Sequence, residues 1–66
     1  MWKGVPQVGD IFYDFEGDKL LVVEINGEAE RGEQVRLLHL DTDEVDSYYT
    51  DSLDNFKSGA YLAKIG

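Results

Sequence analysis

Apolar side chains along this chain recur at short range and change face often, with polar punctuation every few residues. From Asp10 to Phe15, Ile11, Tyr13 and Phe15 fall at period two with Phe12 on the opposite side, which is strand alternation. From Lys19 to Asn26, Leu21, Val23 and Ile25 alternate with Leu20, Val22 and Glu24, so much of this segment is apolar on both sides. A strand of that kind is central, or bent so that both faces are covered. From Gln34 to Leu40, Val35, Leu37 and His39 oppose Arg36, Leu38 and Leu40, and periodicity leaves the inward face open. Val45, Ser47 and Tyr49 oppose Asp46, Tyr48 and Thr50 in a fourth segment, and the last runs from Ala60 to Ile65 with Tyr61, Ala63 and Ile65 on one side.

The punctuation is turn chemistry: Val8-Gly9-Asp10, Glu16-Gly17-Asp18, Asn26-Gly27 through Gly32, Asp41 to Glu44, and Ser58-Gly59. Between Thr50 and Phe56 a capping side chain precedes Leu53 and Phe56, spaced three apart, which predicts a single 3₁₀ turn. The Gly-bounded polar stretch from Gly27 to Glu33 reads as a loop that can also form a short helical turn. The third and fourth strands are expected to pair across the acidic turn. The prediction is one all-β domain over residues 1–66, with five strands, a 3₁₀ turn before the last, and residues 1–9 as an N-terminal cover.

Four strands, a 3₁₀ turn and a closing strand resemble the SH3-like barrel. The segment VRLLHLDTDEVDSYYTDSLDNF, residues 35–56, looks like the Tudor branch of that fold, and VGDIFYDFEGDKLLVVEI resembles its first two strands. The likeness consists of spacing and hydrophobicity over most of the chain. Peptide-reading SH3 domains have a long first loop, paired tryptophans and a downstream Pro-x-x-Tyr element. Here the first turn is short, Trp2 is the only Trp and Pro6 the only Pro. The Tudor resemblance implies an aromatic cage for a methylated Lys or Arg, for which Phe12, Tyr13, Tyr48 and Tyr49 are the candidates by cation–π attraction. The alternative is that Tyr13 and Tyr49 belong to the core and Tyr48 to the surface. Where the Tudor turn usually has Tyr-Gly, this chain has Thr42-Asp43.

Charge narrows the partners. Fourteen acids against six bases give a net charge of −8 in 66 residues, which repels phosphate backbones and anionic membranes and steers toward a basic protein surface. No direct nucleic-acid binding and no membrane association are expected. The longest apolar run, Leu20 to Val23, is far short of a span, and the start is unlike a signal peptide, so a cytoplasmic location is expected. With no Cys there is neither a disulfide nor a thiolate metal site, and a chain this short must be stabilised by packing or by a partner subunit.

The stretch from Leu37 to Phe56 contains no Lys or Arg and holds Asp41, Asp43, Glu44, Asp46, Asp51 and Asp54. A Ca²⁺ loop beginning at Asp41 fails, because its fifth, sixth and twelfth positions are Val45, Asp46 and Ser52. The default is a solvated edge whose charge resists aggregation. The specific alternative is an anionic docking face, with Tyr48 beside it, that engages the basic groove of a nucleic-acid-handling protein by imitating phosphates. A phage or mobile-element inhibitor would have this form. A lone His39, no nucleophile elbow and no Gly-rich phosphate loop argue against an enzyme, and no cofactor or metal is implied. Finally, Leu20, Val22, Leu38 and Leu40 exceed what one small core covers. Either the N-terminal segment, with Trp2 as a plug beside Val5 and Pro6, lies over that surface, or a second copy does, leaving monomer or homodimer open.

Overall fold

The computed structural model describes residues 2–41 and 47–65. Five strands, β1 (Ile11–Tyr13), β2 (Lys19–Ile25), β3 (Val35–His39), β4 (Tyr48–Asp51) and β5 (Ala63–Ile65), form one antiparallel sheet in the order β4-β3-β2-β1-β5. The all-β architecture expected from the alternation is present, and the fold is consistent with an SH3-like arrangement. The sheet is open among the described residues: no ladder joins β4 to β5. Val45 and Asp46, expected to begin the fourth strand, lie outside the described residues. Among the described residues, no helix is long and apolar enough to cross a membrane.

The ambiguity of β2 is resolved by a bulge. Leu20 pairs with His39 and Val22 with Leu37, but Glu24 pairs with Arg36 and Ile25 with Val35, so the register shifts between Val22 and Glu24. One extra residue reverses which parity faces the core. Leu20 and Val22 point inward before the bulge, Ile25 packs on the core after it, and Glu24 stays exposed. On β3 the inward set is Val35 and Leu37. Leu38, paired with Leu21, takes the outer face, and Leu40 is exposed. Leu20, Val22, Leu38 and Leu40 therefore do not make one association face, because the first two are core.

The core is sealed by aromatic rings at one end. Phe12, fully buried, meets Trp2 edge-on at 4.7 Å and Phe56 at 5.1 Å, while Phe56 stacks on Tyr61 at 4.2 Å. Such pairs add specific attraction to the area they bury. Trp2 donates its amide to the Tyr61 carbonyl at 3.1 Å, and Gly4 donates to the Phe56 carbonyl at 3.3 Å. The N-terminal segment thus lies against the aromatic end of the core.

The turn before β5 is an α-helix, α1 (Leu53–Lys57), where a 3₁₀ turn was expected. Ser58 donates to the Asp54 carbonyl at 2.9 Å, an i to i−4 bond. Ser52 caps the helix by accepting from the Asn55 amide at 3.2 Å. A cap placed three residues before Asn55 permits a full α-turn, and burying Phe56 rewards it. The 3₁₀ turn falls instead at Arg31–Glu33, in the β2–β3 loop. Gly59 ends α1 at φ +83, a conformation that favours Gly.

Candidate functional site

Because β4 and β5 do not pair, the concave side of the sheet opens into a groove of about 530 Å³, within the size range of ligand clefts. Leu20 and Leu37 lie along it; Tyr49, Thr50 and Asp51 of β4 form one wall, and Asp14, Phe15, Glu16 and Asp18 of the β1–β2 turn with Ala60 and Tyr61 form the rest. Among the described residues, four carboxylates and three aromatic rings line it, and no Lys or Arg does.

Asp14 builds the acidic wall. Its Oδ1 accepts from the Glu16 amide at 2.9 Å and the Asp18 amide at 3.0 Å, and the Gly17 amide bonds back to the Asp14 carbonyl at 3.1 Å. Gly17 sits at φ +84, a conformation that Gly adopts without a steric penalty. The turn thereby brings carboxylate oxygens of Asp14, Glu16 and Asp18 within 4.8 Å of one another. Their mutual repulsion is relieved in part by the amides and in part by His39, whose Nε2 lies 3.0 Å from Asp18 Oδ2. The three could offer oxygens to a hard cation, but Asp14 and Asp18 already spend oxygens on these bonds, and the cluster carries no other mark of a metal site.

His39 links the two walls. It holds Asp18 through Nε2, and its ring meets the Tyr49 ring edge-on at 5.7 Å. Its Nδ1 is buried and has no described partner.

Asp51 is structural. It accepts from the Ser52 amide at 2.7 Å, from Asn55 Nδ2 at 2.6 Å and from the Tyr61 hydroxyl at 2.6 Å. Burial pushes the ionisation of Tyr61 far above the usual tyrosine range, and the hydrogen bond and charge of Asp51 and the charge of Asp14 push the same way.

The residues expected from sequence fall in several places. Asp43, Glu44 and Asp46 lie outside the described residues. Asp41 accepts from the Lys19 amide, Asp54 pairs with Arg31 at 3.2 Å, and Asp51 is taken up as above, so each of these three already has a partner. The proposed cage is not assembled: Phe12 is fully buried among core rings and cannot touch a ligand, while Tyr48 lies on the outer face beneath the Arg36 guanidinium, 4.4 Å from its ring centre. By register Tyr13 shares the outer face with Ile11, opposite Phe12. Only Tyr49 reaches the groove. Sequence reasoning missed Phe15, placed in a strand by its alternation with Tyr13 although it lies in the turn, 65% exposed. An aromatic residue inside the acidic run Asp14-Phe15-Glu16-Gly17-Asp18 was the available signal. Compared with known proteins, the chain matches no family model, no curated protein and no solved structure.

Proposed function

We propose that this chain is a non-enzymatic, SH3-like acidic binding module that docks on basic side chains of a partner protein, and that the groove between β4 and the β1–β2 turn is its contact site. The observation that carries this reading is the make-up of the groove: apolar floor, exposed Phe15 and Tyr49 and, among the described residues, four carboxylates and no cation. Carboxylates held against aromatic faces attract a guanidinium or ammonium group by charge and by cation–π contact together. The broader expectation of a partner that handles nucleic acid, and so carries a basic surface, fits the same chemistry.

The carboxylates of Asp14 and Asp18 are committed to turn amides and to His39, an arrangement suited to holding charge in place more than to transferring protons. Titration of the isotope-labelled chain with a Lys/Arg-rich peptide tests the proposal. Resonances of Phe15, Tyr49 and Leu20 should shift, and affinity should fall by about tenfold or more from low to physiological salt. Shifts confined to other surfaces, or an affinity indifferent to salt, would overturn it.

A further inference from the structure

The hydrogen-bond parity of the sheet leaves a specific stretch of backbone unpaired beside the groove. The His39 amide donates to the Ser47 carbonyl at 3.0 Å, and the Leu40 amide donates to the Lys19 carbonyl at 2.9 Å. Odd residues of β3 therefore bond to β4 and even residues to β2. Carried through the register Leu38↔Tyr48, Leu37↔Tyr49, Arg36↔Thr50 and Val35↔Asp51, this alternation turns Tyr49 and Asp51 toward β3 and leaves the amides and carbonyls of Tyr48 and Thr50 facing outward. β4 is an edge strand of the described sheet, and no described turn or loop residue bonds to them. Thr50 lines the groove although its register sets its side chain with Arg36 on the outer face. The opposite edge is different: β5 leaves only Lys64 outward, and Lys64 is paired with Asp10 at 3.4 Å, a charged guard on a short edge.

We infer that the open edge of β4 takes up an extended segment of a partner protein as a sixth, antiparallel strand, with basic and apolar side chains in alternation. This rests on the reading of the groove as a protein-binding site and specifies how the partner enters it. Residues of the incoming strand opposite Tyr49 point to the concave side, where Asp14, Glu16 and Asp18 wait, and these are the basic positions. Residues opposite Tyr48 and Thr50 point to the outer face. There Tyr48 already carries Arg36 over its ring, so a second cation is repelled and an apolar side chain packs. Main-chain bonds to Tyr48 and Thr50 supply register, and the acids supply selection.

The probe is the alternating peptide acetyl-Lys-Val-Lys-Val-Lys-Val-amide, added to the full chain, with two N-methylated versions as controls. In an antiparallel ladder the valines oppose Tyr48 and Thr50, so the valine amides face β4 and the lysine amides face solvent. Methylating the valine amides should weaken binding by about tenfold or more, while methylating the lysine amides should change it little. Hydrogen exchange at the Tyr48 and Thr50 amides should slow when the parent peptide binds. Equal affinity of both methylated peptides, or a loss confined to the lysine set, overturns strand addition and leaves the acidic groove standing if salt dependence persists. If none of the peptides moves the resonances of Tyr49 and Leu20, both readings fall.

Discussion

The concave side of this sheet holds two groups of aromatic residues with opposite fates. Trp2, Phe12, Phe56 and Tyr61 close on one another as the sealed end of the core, with Phe12 and Phe56 both at 0% exposure. Phe15 and Tyr49 stand at the open end, 65% and 51% exposed, with carboxylates around them. Residue type does not separate the groups, since each contains Phe and Tyr. What separates them is cover: the first group has α1 and the N-terminal segment laid over it, whereas the second faces the gap that unpaired β4 and β5 leave. Tyr61 belongs to both, its ring stacked on Phe56 and its hydroxyl bonded to Asp51 at the groove wall.

The contrast can be broken most forcefully from the sealed end. Phe56→Ala removes a fully buried ring from a small core and should cost about 4 kcal/mol, read by urea unfolding. Tyr61→Phe keeps the stacked ring but removes the bond to Asp51, and should cost about 2 kcal/mol near neutral pH. That variant also has a pH signature. Folding raises the pKa of Tyr61 above its unfolded value near 10. Its contribution is therefore complete below about pH 10 and lost as pH climbs toward the folded value, with a slope of up to ~1.4 kcal/mol per pH unit. Alkaline unfolding followed by circular dichroism should be steeper in the parent than in Tyr61→Phe.

Smaller effects should follow on the way to the groove. Ser52→Ala deletes the cap of α1 and should lower stability by about 1 kcal/mol. Tyr49→Ala and Phe15→Ala should each change stability by no more than about 0.5 kcal/mol, because both rings are largely exposed. Both should nevertheless weaken binding of a Lys/Arg-rich peptide several-fold by calorimetry. If Tyr49→Ala unfolds the protein as readily as Phe56→Ala, the division between sealed and open ends is wrong.

How much of this was legible beforehand differs by feature. The alternation from Asp10 to Phe15 announced β1, which covers Ile11 to Tyr13 and leaves Phe15 in the turn. The segment Leu20 to Ile25 announced a strand covered on both sides but not a bulge, since a register shift depends on which β3 residues lie opposite. Leu53 and Phe56, spaced three apart after a capping side chain, signalled a 3₁₀ turn, and the i to i−4 bond with the buried Phe56 makes it α instead. At the site, the acidity of the Leu37 to Phe56 stretch drew attention to Asp51, which the fold uses internally, and to Asp54, paired with Arg31 on the surface, and away from Asp14, Glu16 and Asp18 across the groove. Charge density along a chain does not show which carboxylates the fold gathers round one groove, since that depends on strands distant in sequence.

Strand number, strand order along the chain, the turns and the net charge of −8 follow from the chain alone, because alternation and turn chemistry act between residues a few positions apart. The face that each β2 residue shows, the separation of Tyr61 from Tyr49, and the groove with its free β4 edge exist only once strands distant in sequence are paired in one register. They depend on contacts across the sheet, which no local pattern encodes.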